Sequence, residues 1–241
     1  MTPKDSKIVI VAALEREVRP LVKRWRVSER DAGGRRFRFF ESENVIVVCG
    51  GIGAEAARRA AEAAIDFYAP NVIYSAGFAG ALDSGLKVGD VVRPARVVNT
   101  SDGSSAIGEG SGVLVSFGAV ASPEQKSKLR ESYGAQAVDM EAAAVARAAE
   151  LHAIKFGALK VISDECDFKF PAMERFVDAS GQFLEWRFAA FVAVRPWLWP
   201  QVARMANNSS RAARALCNAL RAVIVEDERR TEVHPVTVGR L

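Results

Sequence analysis

Four short segments of the sequence carry the residue types from which an active site could be built. Each lies beside an apolar run and contains carboxylates or glycines: Leu14-Glu15-Arg16-Glu17, Gly50-Gly51-Ile52-Gly53, Asp139-Met140-Glu141 and Ser163-Asp164-Glu165-Cys166-Asp167. Ligands of open α/β sheets collect where strands end and helices begin. Carboxylates at such places can take part in catalysis, and glycines let a ligand approach the backbone closely.

Each of these segments also has a purely structural interpretation. Asp139 and Glu141 could cap a helix, because free N–H groups and the helix dipole favour acidic residues in a first turn. Asp164 follows an apolar run and could cap a turn, and Glu17 lies in a charged helix whose side chains are often solvated. The glycine turn lacks the spacing of a dinucleotide site and of a P-loop. Taken singly, none of the segments decides between structure and chemistry.

The elements that would position these segments alternate between strand-like and helix-like patterns. Lys7–Ala13 is a short β-branched run of the kind buried on both faces of a sheet, and a helical pattern follows over Glu15–Trp25. The alternation predicts an α/β fold, a single domain over residues 1–225 with a mixed sheet flanked by helices and a helical C-terminal layer. Ser101–Gly112 is predicted to be a mobile loop, and residues 226–241 a polar, frayed tail.

Composition excludes several classes of protein. The chain has 241 residues, of which 49% are hydrophobic and 26% charged, so a disordered chain is excluded. No apolar run approaches the ~20 residues of a membrane-spanning helix, and the opening residues show no secretory pattern, so a cytoplasmic location is expected. Three separated cysteines and two histidines argue against a disulfide scaffold and a metal site. No nucleic-acid-binding motif is present, and no nucleic-acid partner is expected.

Two stretches could contact other molecules. Residues 1–40 hold 11 basic and 5 acidic side chains, which could attract phosphates or an anionic membrane, although a solvated face is the more common explanation. Aromatic residues between Phe183 and Trp199 are spaced as in a helix that packs on a core or on a dimer partner. The same side chains, with Arg187 and Arg195, could instead make a peripheral membrane contact.

Taken together, the segments resemble the nucleoside phosphorylase and methylthioadenosine/S-adenosylhomocysteine nucleosidase superfamily. The matching stretches occur in the family's order over about residues 7–180: IVAALEREV (10–18), GGIG (50–53), AGFAGAL (76–82), LKVGDVV (86–92), VDMEAAAVA (138–146) and VISD (161–164). The run DFKFPAMERFVD (167–178), with RPWLWP (195–200), looks like the hopanoid-associated phosphorylase branch.

The resemblance implies a nucleoside phosphorylase-like three-layer α/β/α fold and an activity. The reaction would be cleavage of the N-glycosidic bond of a 5′-modified adenosine, methylthioadenosine-like or adenosylhopane-like, with release of adenine. Asp164 would be the general acid that protonates purine N7, given a pKa raised by burial. Glu141 would bind the ribose hydroxyls and stabilise the developing cation, and Glu17 would orient or activate the attacking water.

The resemblance also implies contacts and partners. No metal or organic cofactor is expected, the small-molecule partner is a nucleoside, and the chain is expected to form a homodimer or a higher homo-oligomer. The substrate-binding residues implied are Leu14, Ile52, Gly53, Phe78, Ala119, Val120, Ala121, Met140, Ser163 and Met173, together with Phe168 or Phe170 at the 5′ substituent.

Two departures from the family pattern bear on the nucleophile. Many relatives have Ser at the position of Phe78, and phosphorolytic members have Arg at the position of Ser75. Phosphate needs cationic or N–H-rich ligands, which Ser75 and Phe78 supply poorly, although Arg16 or the amides near Gly51 could compensate. The residues therefore favour water, and the branch favours phosphate. A phosphorylase, or a non-catalytic nucleoside-binding module, remains the alternative.

Overall fold

The structure, a computed structural model, describes residues 7–169, 176, 178, 181 and 183–233. Within these residues one sheet is flanked by helices. The strands are β1 (Ile8–Ala12), β2 (Arg26–Ala32), β3 (Arg35–Ser42), β4 (Val45–Cys49), β5 (Val72–Ala81), β6 (Val91–Val92), β7 (Arg96–Asn99), β8 (Ser105–Ile107), β9 (Val113–Ser116), β10 (Ala137–Asp139) and β11 (Lys155–Asp164). The helices are α1 (Glu15–Val22), α2 (Ala54–Tyr68), α3 (Pro123–Tyr133), α4 (Ala142–Leu151), α5 (Glu185–Ala193) and α6 (Trp199–Val233).

Strand β5 is the centre of the sheet. Parallel strands β1 and β11 pair with its two edges, and the short antiparallel strand β10 pairs with its last residues. Asp164 at the end of β11 pairs with Gly80 of β5, and β10 pairs there through Val138, so β10 and β11 both end beside the same part of β5. The sheet is mixed, as the sequence predicts, because β2, β3, β6 and β8 also pair antiparallel to their neighbours.

The two faces of the sheet are covered by different helices, which gives three layers. Alternate residues of β1 point to opposite faces: Ile8 and Ile10 pack in the core cluster that includes α1 and α6, whereas Val9 and Val11 pack in the cluster that includes α2 and α4. The alanine-rich sequence of α2 lets it lie close to both the sheet and α4. The predicted single-domain three-layer α/β architecture is therefore confirmed.

Helix α3 begins and ends where its local sequence dictates. The Ser122 hydroxyl accepts a hydrogen bond from the backbone N–H of Gln125, and the Gln125 side chain accepts one from the backbone of Ser122. Pro123 occupies the first helical turn, and Gly134 ends the helix in the left-handed conformation. These caps fix the position of Lys126, which lies one turn into the helix and matters below.

Helix α6 is an integral part of the fold. Its buried stripe, which includes Leu216 and Leu220, packs in the same cluster as β1 and α1. We expect Leu216→Ala to lower the free energy of unfolding by about 2–5 kcal/mol, since the side chain is fully buried and its loss leaves a cavity. Chemical denaturation checks this. Leu151→Ala on the exposed end of α4 is the matched control and is expected to change stability little; equal effects would contradict the assigned packing.

The structure differs from the sequence prediction in three places. Strand β2 forms a hairpin with β3, but its many charged residues mask the strand pattern in the sequence. Part of the predicted mobile loop 101–112 is strand β8, paired with β7. Helix α6 continues to Val233, with the Asp227 carboxylate accepting a hydrogen bond from the Tyr74 hydroxyl at 2.8 Å, so residues 226–233 are helical rather than frayed. None of the described helices has the length and apolar character needed to cross a bilayer.

The N-terminal basic residues are largely satisfied within the protein. Arg38 pairs with Glu15 and lies over the ring of Phe40, and Arg30 lies over the ring of Tyr68. On the hairpin of β2 and β3, Arg26 pairs with Glu41 and Arg36 with Asp31. The structure therefore favours the solvated-face interpretation for this part of the basic cluster.

Candidate functional site

One cavity gathers the three carboxylates that the sequence singles out. Glu17 reaches it from the first turn of α1, Glu141 from the start of α4 and Asp164 from the end of β11. The cavity has a volume of about 170 Å³ and lies where these elements leave the sheet. All three side chains are largely buried. Groups that are far apart in the chain thus face one shared cavity, as active-site chemistry requires.

Most of the other residues implied by the resemblance line the same cavity. Phe168 lines a neighbouring cavity, and Phe170 and Met173 lie outside the described residues. The remaining predicted residues on the wall of the first cavity are Leu14, Arg16, Ile52, Phe78, Ala119, Val120, Ala121, Met140 and Ser163.

The backbone N–H groups of the glycine turn donate hydrogen bonds to acceptors within the protein. The N–H of Gly51 donates to the carbonyl of Ala13 at 2.9 Å, the N–H of Ile52 donates to Gly181, and the N–H of Gly53 donates to the Glu141 carboxylate at 2.8 Å. Gly53 has a φ of 98°, a conformation that favours glycine. The amides of Gly51 and Gly53 are therefore engaged within the protein, and Gly53 positions Glu141. The roles of Gly51 in phosphate binding and of Gly53 in substrate binding stay predictions.

The two carboxylates of the Asp-Met-Glu segment have different roles, one structural and one at the cavity. Asp139 does the capping, since it accepts hydrogen bonds from the backbone N–H of Ala142 at 2.8 Å and from the Ser116 hydroxyl at 2.6 Å. Glu141 faces the cavity. Burial raises the pKa of Glu141, and the neighbouring Asp139 charge raises it further. The spacing of two residues thus leaves Glu141 available for a ligand.

Glu17 is a carboxyl group tuned towards neutral pH. Burial raises the pKa of Glu17 to about 7, with a smaller contribution in the same direction from the charge of Glu141. Lys160 and Arg16 oppose the shift. A group with this pKa can gain and lose a proton under physiological conditions, which suits a general base.

Lys160 is a buried cation that the sequence analysis did not single out. Its ammonium lies 2.8 Å from the Asp139 carboxylate, and its side chain is only 1% exposed. Its charge also acts on Glu17 and Glu141, where it opposes the rise in pKa that burial causes. The sequence did contain a signal for it, namely a lysine inside the apolar run of β11. A charged side chain in a strand that is covered on both faces needs a partner of opposite charge.

Replacing Lys160 with Met is expected to lower the free energy of unfolding by about 3–5 kcal/mol at pH 8, since it leaves buried carboxylates without their counter-charge. The loss should be smaller at pH 5, where Glu17 holds a proton. Denaturation at both pH values measures the effect. Lys155→Met, in the same strand but with an exposed side chain, is the control. A pH-independent loss would contradict the electrostatic explanation.

Asp164 has both of its carboxyl oxygens engaged. Oδ2 accepts from the ammonium of Lys126 at 2.5 Å, and Oδ1 accepts from the hydroxyl of Ser163 at 2.7 Å. Burial raises the pKa of Asp164, and the Lys126 charge and the Ser163 hydroxyl oppose that rise. Lys126 is a second residue that sequence reasoning missed, because a lysine in an amphipathic helix is ordinarily solvent-exposed.

A larger cavity of about 810 Å³ adjoins the first and shares Arg16, Phe78 and Ser163 with it. It lies between α1 and α6. One wall is the basic face of α1, including Arg19 and Lys23. Its apolar lining includes Phe78, Phe168, Phe183, Phe188, Val202 and Met205. The site can therefore hold a small polar group at the carboxylates and a much larger apolar group beside it.

The aromatic stretch separates into packed and exposed side chains. The ring of Phe188 contacts those of Phe176 and Phe183, each at a centroid distance of 5.4 Å, as core or ligand-lining residues do. Trp197 and Trp199 are 70% and 55% exposed. Among the described residues, no cluster of His, Cys, Asp and Glu side chains suits a metal ion.

Comparisons with known proteins agree with this fold. A model of the phosphorylase superfamily matches residues 7–124 and 111–193. The 5′-methylthioadenosine/S-adenosylhomocysteine nucleosidase of Thermotoga maritima is 29% identical over 187 residues, covering 66% of this chain and 85% of that protein. The enzyme of the same name from Buchnera aphidicola is 42% identical over 55 residues, 23% of this chain, so the chain spans only 24% of that relative's length.

Solved structures give the same fold. The native structure of futalosine hydrolase from Helicobacter pylori superposes with a TM-score of 0.69, covering 92% of this chain and 98% of that chain at 19% sequence identity. At that identity the likeness establishes the fold and leaves the chemistry to be argued from this chain's own residues.

Proposed function

The chain belongs to the phosphorylase superfamily, and we propose that it is an N-ribosyl hydrolase that cleaves the N-glycosidic bond of a 5′-modified adenosine and releases adenine. The observation that carries the proposal is the convergence of Glu17, Glu141 and Asp164 on one cavity, each in a different electrostatic setting. The names of the relatives support the same reaction class.

Cleavage of the glycosidic bond sets two electrostatic demands. The base departs with the electron pair of the C1′–N9 bond, and Asp164 gives N7 a proton that makes the base a neutral leaving group. The sugar becomes oxocarbenium-like, and the carboxylate of Glu141, which contacts the ribose hydroxyls, stabilises that positive charge. Glu17 accepts a proton from the water that attacks C1′. The products are adenine and a ribose that keeps its 5′ substituent.

Water is favoured over phosphate as the nucleophile. The amides of the glycine turn already donate to acceptors within the protein. Lys160 and Lys126, the buried cations near the carboxylates, are each paired with an aspartate. Arg16 on the cavity wall lies over the ring of Phe183, and it is the residue we assign to phosphate if phosphate is used.

The larger cavity is the proposed site of the 5′ substituent. Its volume of about 810 Å³ and its phenylalanine lining suit a large apolar group better than the small methylthio group. An adenosylhopane-like nucleoside is therefore the favoured substrate, and methylthioadenosine is the smaller alternative.

Exposed Trp197 and Trp199 would then make a peripheral membrane contact, and an apolar substrate would be taken up from the membrane there. We further propose that the protein is cytoplasmic and forms a homodimer or a higher homo-oligomer.

The test is release of adenine, followed by chromatography, from methylthioadenosine, S-adenosylhomocysteine and an adenosine carrying a large apolar 5′ group. Each substrate is assayed with and without phosphate. We expect phosphate-independent release, with the highest kcat/KM for the large apolar substrate. Release only with phosphate, together with a ribose 1-phosphate product, would identify a phosphorylase. Tight nucleoside binding without turnover by folded protein would identify a non-catalytic binding module.

A further inference from the structure

Lys126 is the feature of the cavity that the reaction outlined above does not use. Its side chain is 2% exposed and extends from α3 to the wall of the cavity. The ammonium donates to Asp164 Oδ2 at 2.5 Å and to the backbone carbonyl of Glu165 at 2.7 Å. These two bonds tie the end of β11 to the beginning of α3.

The neighbouring strand leaves room for this pair. A Cβ atom added at Gly80 of β5 would lie 2.8 Å from Asp164 Oδ2 and 3.3 Å from Lys126 Nζ. Any larger residue at this position would displace the carboxyl group or the ammonium. The cavity wall is therefore shaped around a Lys126–Asp164 contact.

We propose that Lys126 is the positioning residue of the acid: it anchors one oxygen of the Asp164 carboxyl group and sets the pH at which this group holds the proton required by the leaving base. This inference rests on the proposed nucleosidase reaction and deepens it. The physical basis is the donor inventory of lysine, because an ammonium has three N–H donors and no acceptor.

A carboxyl oxygen that faces an ammonium at hydrogen-bond distance has to act as the acceptor. Oδ2 is thereby reserved, so the exchangeable proton of Asp164 resides on Oδ1. Oδ1 lies 2.7 Å from the hydroxyl of Ser163, which also lines the cavity and can turn towards the carbonyl of Ala79 at 3.4 Å. Lys126 thus determines which oxygen presents the proton to the substrate.

Among the charges around Asp164, that of Lys126 has the largest effect on its pKa, and it opposes the effect of burial. Immediately after β11 lies Glu165, whose carboxylate is paired with Lys87 at 4.0 Å and with Arg204 of α6 at 3.7 Å. From α1 and α4, the carboxyl groups of Glu17 and Glu141 face the same cavity. The Lys126 ammonium opposes the effect of burial on the pKa of Asp164. Without it, Asp164 would keep its proton to higher pH.

The experiment measures kcat and KM of Lys126→Met as a function of pH, on the substrate that wild-type protein turns over. A general acid has to be protonated, so activity falls as pH rises through its pKa. Removing the ammonium is expected to move this alkaline limb upward by about one to three pH units, with KM within about twofold of wild type. Lys128→Met, on the exposed side of α3, is the control and is expected to leave the profile unchanged.

A second readout does not depend on turnover. The Asp164 carboxyl is titrated without substrate by ¹³C NMR of labelled aspartate, assigned with Asp164→Asn, and its pKa is expected to be higher in Lys126→Met. Lys126→Gln replaces Met if the latter does not fold, with the same expectation. An unshifted titration, or a folded variant inactive at every pH, overturns the role of Lys126. Full turnover by Asp164→Asn would overturn the proposed reaction, and the titration would still report on the pair.

Discussion

Replacing Asp164 with Asn is expected to lower kcat by about 10²–10⁴-fold while leaving nucleoside binding nearly intact. The amide has the shape of the carboxyl group and can accept from Lys126 through its oxygen, but it has no proton acidic enough to give to purine N7. The base would then have to leave as an anion in a site where a neutral departure is otherwise possible. The effect should therefore fall on kcat and not on KM.

The measurement is steady-state adenine release at several pH values, with binding followed by calorimetry. Asp167→Asn, three residues further along the chain and exposed, is the matched control and is expected to keep the wild-type rate. A substrate whose base is already a good leaving group, such as a nitrophenyl riboside, should recover much of its rate in Asp164→Asn. Wild-type turnover of adenine nucleosides by Asp164→Asn would remove the central assumption of the proposal.

Replacing Glu17 with Gln is expected to lower kcat/KM by a similar factor, about 10²–10⁴-fold, and to remove one limb of the pH profile. A general base has to be deprotonated, so activity of the wild type should rise with pH through the pKa of Glu17, which burial raises to about 7. In Glu17→Gln that rise should be absent, because the amide that replaces the carboxyl group neither gains nor loses a proton in this range.

The pH dependence of kcat/KM between pH 5 and 9 measures both effects. Glu15→Gln alters a carboxylate of the same helical turn that pairs with Arg38, and it serves as the control with an unchanged profile. Persistence of the acid limb in folded Glu17→Gln would assign the base role to another residue. Retention of the full rate would exclude a proton-transfer role for Glu17.

The sequence predicts the site better than it predicts the residues that support it. Glu17, Glu141 and Asp164 could be identified because each lies close after an apolar run, at a point where a strand is predicted to end and polar loop residues to begin. Their convergence could be expected from family motifs but not from spacing. Asp139 and Glu141 could not be told apart by composition, since both suit a helix start; only the fold assigns the cap to Asp139.

The two buried lysines escaped prediction for a common reason. A lysine is most often solvated. Lys126 has no carboxylate three or four residues away in the sequence, and the strand neighbours of Lys160 are apolar. Their partners come from distant segments, and such pairing appears only when the chain is folded. Strand β2 could not be predicted because its many charged residues suggest a solvent-exposed loop. In the structure these residues alternate along a hairpin strand, and the arginine Arg30 lies over an aromatic ring.

The buried ionisable groups are distributed unevenly along the cavity. Around the proposed ribose position, Glu17, Asp139 and Glu141 are accompanied by one buried cation, Lys160, and by the exposed Arg16. Asp164 is matched by Lys126 at the proposed base position. Above pH 7 a nucleoside in this space would experience an electric field that makes C1′ more electron-poor and draws the density of the C1′–N9 bond towards the purine. Polarisation along the scissile bond would then begin on binding, before any proton is transferred.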